Sequence, residues 1–347
     1  MDFLPSHLAL LPALVAFLAS LLLAMGAAAW FTTRLELLCD LFGFSPSMLS
    51  LLGALGANIP NYIASIVAIA GKAFTVGLGI IVGSNIYNLT IILGLSILLA
   101  PNRAGIRLSL HDAQEVTAGG RYTLLITLTT LLSIALLTLP TLIGHTTSLS
   151  LFVIIPLLLA SIAALLLFVL LSRRAIIPGS QVEIGQQPDM VKTAYKSPQR
   201  HILLIIEVLL ALSLALVGVV VMVQSGQELA TDTRMSPVIL GLVLLAIATS
   251  LPNTVVAVSL ARQGRAITSL EEVLNSNSIN ATLGIALPLL FWHGLLSDSL
   301  LLLLDVPLMM LLTVVVLLFL RRHRISLLQA VLLLLVYIVW IGIHLAL

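Results

Sequence analysis

The chain has 347 residues, of which 60% are apolar and 9% charged, and its mean hydropathy is +1.19. A soluble fold of this length could not bury that much apolar surface, so the composition excludes a water-soluble protein and implies a polytopic one embedded in a lipid bilayer. The net charge of +2 is small, but the charges are unevenly placed.

With about 20 residues as the minimum span, the apolar runs predict ten transmembrane helices, at 6–31, 46–71, 74–100, 122–144, 148–172, 201–224, 236–262, 267–293, 299–320 and 325–346. The opening MDFLPSHL has no basic segment ahead of its apolar run and no small-residue cleavage signal, so the first run is expected to be retained as a helix. Of the 16 basic residues only Lys72 and Arg234 fall in one set of connecting loops, and all the others, from Arg34 to Arg324, fall in the opposite set. Basic residues are retained on the cytoplasmic side, which places both termini outside. The short loops suit a prokaryotic plasma (inner) membrane. Cys39, the lone cysteine, cannot form an internal disulfide and reads as a small packing residue.

The one long polar connection, 173–200, contains Pro178, Gly179, Gly185, Pro188 and Pro198 and reads as a cytoplasmic linker too short to hold a folded domain. It divides the chain into 1–172 and 201–347, with five helices each. Because five is odd, the second half must enter the membrane from the opposite side. The predicted fold class is therefore all-α, with ten transmembrane helices in two inverted-topology five-helix repeats.

The halves also share polar residues. The first carries GANIPN at 56–61 and GSNIYN at 83–88; the second carries ATSLPN at 248–253 and NSNSIN at 275–280. At a constant offset of 192, Pro60 falls on Pro252, Asn61 on Asn253, Ser84 on Ser276, Asn85 on Asn277 and Asn88 on Asn280. A proline ring clashes with the carbonyl four residues back, which frees backbone groups near Gly56 and Ala57 from their helical partners. Asn61, Asn88, Asn253 and Asn280 lie near the middle of their runs, and a rise of about 1.5 Å per residue puts them within about one turn of the bilayer centre. Asn and Ser often serve as interhelical glue, but packing does not require the same polar residues at matching depths of four helices. Repeated, proline-broken polar segments point to a substrate site at the bilayer midplane of a transporter.

These segments resemble the alpha-repeats of the sodium/calcium exchanger family, also called the calcium/cation antiporter superfamily. Its pattern in each half is approximately G-T-S-x-P-E followed by G-S-N-x-x-N. GSNIYN fits the second pattern fully, TSLPN fits the first except at its last residue, and GANIPN and NSNSIN fit in part. The resemblance implies alpha-repeats at about 46–100 and about 236–293, a secondary transporter working by alternating access, and a cation as cargo. Carried over residue by residue, it implies an ion site of Asn58, Asn61, Ser84 and Asn88 from the first half with Thr249, Ser250, Asn253, Ser276 and Asn280 from the second, opened by helix breaks at Gly56, Pro60 and Pro252. Where the family carries cation-coordinating glutamates this chain has Asn61 and Asn253, and where many members carry an aspartate it has Asn280.

Calcium takes about six to eight oxygen ligands, and its affinity follows the number of charged ones, so a cavity of amides and hydroxyls should bind it poorly. Backbone carbonyls alone can replace the hydration shell of a monovalent ion, which makes such a cation the favoured occupant of the same residues. Asn also offers donors, which leaves a small polar solute open. The alternative from another class is a transport-inactive relative acting as a structural or regulatory membrane partner. No metal-ligand run such as H-E-x-x-H and no catalytic serine or aspartate constellation is present, so no enzyme activity, cofactor or nucleic-acid partner is expected.

The remaining acids have plainer readings. Glu207 reads as a salt-bridged or snorkelled residue near the cytoplasmic end, and Asp305 as part of a peripheral helix. Glu271 and Glu272 are read as opening the eighth helix, where acids favour the N-terminus, and His293 as an interfacial side chain. On these assignments the central site holds no carboxylate.

Overall fold

The computed structural model describes residues 10–41, 54–101, 105–107, 121, 123–128, 132, 155–156, 159–164, 166–167, 198–291, 298–321 and 324–346. Helix α1 (Leu10–Leu41) precedes a helical turn at 54–57, which breaks at Asn58 before α2 (Ile59–Ala70) begins. There follow α3 (Phe74–Leu99), α4 (Pro198–Thr233), α5 (Pro237–Arg262), α6 (266–291), α7 (Leu301–Arg321) and α8 (Leu327–Ala346). Six of these, α1, α3, α4, α5, α7 and α8, contain stretches long and apolar enough to cross a membrane. Their outward faces carry exposed leucines such as Leu22, Leu303 and Leu345, at 69%, 72% and 67%. A bilayer covers such faces, and the chain is a multi-pass integral membrane protein.

Helical stretches at 123–128 and 159–164 belong to the runs predicted at 122–144 and 148–172. Most of those two runs, most of the 173–200 linker and His293 lie outside the described residues. Helices α1 and α4 continue beyond the predicted ends at 31 and 224, to Leu41 and Thr233. The reason is that a helix does not stop where its sequence stops being apolar. Glu207 of α4 accepts from Arg34 of α1 at 2.8 Å, so the acid is salt-bridged as expected, and its partner lies in the first half.

The sequence offset of 192 reappears in the element boundaries. The α-helical part of α3, Phe74–Tyr87, and that of α6, Ala266–Ile279, start and stop at equivalent positions. Each then widens into a π turn, beginning at Asn88 and at Asn280. Helix α2 ends at Ala70 and α5 at Arg262, and the turns that follow place Lys72 and Gly264 in the left-handed region, at φ 65° and 81°.

Helix α3 packs against α5 by close backbone approach. A Cβ on Gly79 would stand 3.1 Å from the Leu242 nitrogen, and one on Gly83, a turn further, would overlap the Leu242 carbonyl oxygen. Beyond α3, β1 (Ile106–Arg107) pairs antiparallel with β2 (Arg324–Ile325), with Ile106 opposite Ile325. That pairing brings the segment after α3 and the connection from α7 to α8 to one end of the bundle.

Candidate functional site

The break before α2 places an asparagine at the meeting point of the halves. Asn58 has φ −91° and ψ 0°, and Pro60 lacks the N–H that would bond the Gly56 carbonyl, so the helix restarts at Ile59. The Asn58 side chain then uses its whole bonding capacity. Its Nδ2 donates to the Ala54 carbonyl at 2.7 Å and to Ser276 Oγ at 2.7 Å, while its Oδ1 accepts from Asn61 Nδ2 at 3.1 Å and from Asn253 Nδ2 at 2.6 Å. Ser84 Oγ donates to Asn61 Oδ1 at 3.3 Å. Five of the predicted site residues, from four helical segments, thus form one network around Asn58.

A second group joins α3 to α6 with reciprocal bonds. Asn85 Nδ2 donates to the Asn277 carbonyl and Asn277 Nδ2 to the Asn85 carbonyl, each at 3.3 Å. Asn88 Nδ2 donates to Asn277 Oδ1 at 2.8 Å, and Asn280 Nδ2 to Asn85 Oδ1 at 3.1 Å. Every bond has its counterpart at the repeat offset, the pattern of a local two-fold axis between the helices. Asn85 and Asn277 were visible in the aligned pairs but absent from the predicted ion site. Their place is between the halves, holding them together.

All of these side chains are buried: Asn58, Asn61, Ser84, Asn85, Asn88, Thr249, Ser250, Asn253, Ser276 and Asn280 are each 0% exposed. The cluster is closed to solvent on every side. Among the described residues Asn88 Oδ1, Asn253 Oδ1, Asn280 Oδ1 and Ser250 Oγ have no hydrogen-bond partner. A buried polar atom left unmet costs about 1–3 kcal/mol. Amide and hydroxyl oxygens that no donor satisfies have the chemistry a dehydrated cation requires.

Three predicted residues do other work. The Thr249 hydroxyl turns back to the Leu245 carbonyl at 2.7 Å, on its own helix. Gly56 lies against α1, where a Cβ would stand 2.6 Å from Thr32 Oγ1. Pro252 sits inside a continuous helix, where the absence of its N–H withdraws the usual partner of the Ala248 carbonyl without ending the helix.

The reading of Glu272 is corrected. Helix α6, the eighth of the predicted runs, begins at Ala266, so Glu272 stands nearly two turns inside it, beyond the first-turn reach of the N-terminal dipole. It is 4% exposed, and its Oε1 accepts from Ser276 Oγ at 3.0 Å. The expectation of a central region without a carboxylate fails at this residue, which lies one hydrogen bond from the Asn58 network. The sequence signal was the spacing of four between Glu272 and Ser276, which puts both on one helix face.

Asp305, in α7, is also buried, at 0%, and is met by Trp340 Nε1 at 2.7 Å and His344 Nε2 at 2.8 Å from α8. Among the described residues no group of three or more His, Cys, Asp or Glu could hold a metal ion.

The sequence model described as "Sodium/calcium exchanger protein" matches residues 12–172 and 203–346. The chain belongs to the sodium/calcium exchanger family. Its fold is similar to that of the sodium-calcium exchanger NCX_Mj soaked with 10 mM Na+ and zero Ca2+, with a TM-score of 0.61 and 21% identity over 96% of this chain and 99% of that one. The same exchanger soaked with 2.5 mM Na+ and 1 mM Sr2+ gives a TM-score of 0.62 and 22% identity over 95% and 97%. Native YfkE gives 0.67 and 15% over 96% and 91%. No curated protein sequence matches the chain. Within the exchanger family, then, this member keeps the fold while its central cluster is built of amides and hydroxyls.

Proposed function

We propose that this exchanger-family protein is a secondary transporter that moves a cation by alternating access between two inverted five-helix halves, and that its site favours a monovalent cation over calcium. The observation that carries the proposal is the set of buried oxygens that no donor meets among the described residues, Asn88 Oδ1, Asn253 Oδ1, Asn280 Oδ1 and Ser250 Oγ, drawn from both halves. Neutral oxygens replace the hydration shell of a monovalent ion more readily than that of a divalent one, whose binding is set by charged ligands. The pairing of β1 with β2 supports the inversion. It brings the segments that follow α3 and α7 together at one end of the bundle, as expected if α3 and α7 run the same way and α6, which precedes α7, runs the other.

Tracer flux in proteoliposomes tests the function. The expected result is saturable sodium, lithium or potassium movement with little calcium uptake at micromolar concentration. Robust calcium uptake abolished by Asn61→Ala would overturn the selectivity, and no ion flux at all would favour a structural role. The topology is tested in a Cys39→Ala background. Ser180→Cys and Ser297→Cys should react with an impermeant maleimide from opposite sides, and labelling of Ser297→Cys from the cytoplasmic side alone would overturn the orientation.

A further inference from the structure

Ser269, Glu272, Ser276 and Asn280 follow one another at helical spacing along α6, and all four are buried. Ser269 Oγ donates to Ser96 Oγ of α3 at 3.0 Å, Ser276 Oγ donates to Glu272, and Asn58 donates to Ser276. A polar track therefore runs from the first turn of α6 into the amide cluster. Within it Glu272 Oε2 is buried and meets no hydrogen-bond donor, and no basic side chain pairs with Glu272 among the described residues. At the equivalent position of α3 stands Ile80, an ordinary buried apolar residue. Packing of this helix pair therefore does not demand an acid. A buried carboxylate held only by one serine hydroxyl is a poor structural element, and a good half of an ion pair.

We propose that Glu272 is the charged ligand of the transported cation, which binds at Oε2 beside Ser276 Oγ on the edge of the amide cluster; the inference rests on the transport reading above. It supplies the negative charge missing at Asn61, Asn253 and Asn280. One carboxylate neutralises one monovalent cation, so the loaded site crosses the low-dielectric interior without net charge, whereas a divalent ion would leave a net positive charge there. Because Ser276 is bonded to both Glu272 and Asn58, an ion on Glu272 also acts on the side chain that ties the α2 break to α5 and α6.

The test is thermal unfolding of the purified full-length protein in detergent, in N-methylglucamine chloride, titrated with chlorides of lithium, sodium, potassium, magnesium and calcium. One monovalent cation should stabilise the wild type saturably, and Glu272→Gln should raise its half-saturation at least tenfold. Glu271→Gln should leave it within twofold. If no cation shifts the wild type, or if Glu272→Gln keeps its half-saturation within twofold, the assignment is wrong. Saturation by calcium at a lower concentration than by any monovalent ion would overturn the cation class. Should Glu272→Gln not purify as a monodisperse protein, Glu272→Asp carries the test, since it keeps the charge but draws it back by one methylene; an unchanged half-saturation there is equally fatal. A wild type that binds through Glu272 but moves no tracer removes the transport reading and leaves Glu272 as the ligand of a bound, untransported cation, while tracer flux with binding indifferent to Glu272 keeps the transport reading and removes the assignment of Glu272.

Discussion

In α3 and α6 a helix of equal length leads into a π turn, at Asn88 in one and Asn280 in the other, and each presents two asparagines to its counterpart at the same spacing. Around that shared frame the two helices diverge. α3 has Gly79, Ile80 and Gly83 where α6 has Glu271, Glu272 and Asn275. The glycines let α3 approach the α5 backbone closely, whereas the matching face of α6 is polar and carries a buried carboxylate. The bonds that join α3 to α6 are thus alike on the two helices, while the remaining faces differ, one shaped for close packing and the other polar.

The largest expected effect comes from removing the hub that both helices depend on. Asn58→Ala leaves Asn61 Nδ2 and Asn253 Nδ2 without their acceptor and Ser276 without its donor. At about 1–3 kcal/mol for each unmet group, a loss on the order of 3 kcal/mol or more is expected, together with loss of tracer flux. Melting temperature and flux on the same preparation check it. A stable, active Asn58→Ala protein would show that the network is incidental.

The packing side of the comparison is broken next. Gly83→Ala puts a methyl group into the Leu242 carbonyl, a backbone atom that cannot rotate away, so a loss of about 1–3 kcal/mol is expected. Asn275→Ala at the equivalent position of α6 should cost less. Equal losses in thermal unfolding would mean that the two faces are not specialised as described.

These contrasts also mark what could be read without coordinates. The constant offset pointed to the cluster, because polar residues at matching depths of apolar helices have few other uses, and it paired Ser84 with Ser276 and Asn88 with Asn280, residues that stand at matching places in α3 and α6. Glu272 was misread because an acid early in an apolar run resembles a helix-start signal. The predicted start at 267 differs from the observed Ala266 by one residue, so the error lay in extending the N-terminal preference past the first turn. The π turns had no signature to find, since one extra residue in a turn alters hydrogen bonding without requiring a particular side chain. Thr249 was assigned to the ion site and Gly56 to the helix break by motif position; the bond of the Thr249 hydroxyl to its own helix and the approach of Gly56 to α1 were not legible, because neither needs a sequence signature.

The charge asymmetry can be removed by addition. Ile80→Glu in α3 would stand four residues before Ser84, as Glu272 stands before Ser276, and would give the cluster a second carboxylate. Two acids compensate a divalent ion, so calcium half-saturation should fall about tenfold, equivalent to about 1.4 kcal/mol, while monovalent binding weakens. The same thermal titration reads both changes. If calcium affinity does not move, the first-half position does not face the ion.

The smallest effect, and the finest test of the comparison, lies in the reciprocal clamp. Asn85→Ala removes one donor to the Asn277 carbonyl and leaves Asn280 Nδ2 without its acceptor; Asn277→Ala removes one donor to the Asn85 carbonyl and leaves Asn88 Nδ2 without its acceptor. The two variants lose the same kinds of bond, so their stability losses should agree to within about 1 kcal/mol. Asn277→Ala should be slightly worse, because the bond it abolishes from Asn88 is 2.8 Å long against 3.1 Å for the bond from Asn280. Parallel denaturation curves in one detergent measure the difference, and the double variant adds a second check. Having lost both carbonyl bonds and both side-chain acceptors, the double variant should cost more than either single, since each asparagine's bonds engage different atoms of the other helix, and its departure from their sum measures the coupling within the clamp. A large inequality between the singles, or a double no worse than either, would mean that the clamp acts as a single unit anchored in one half, and that the symmetry of its geometry is not a symmetry of its energetics.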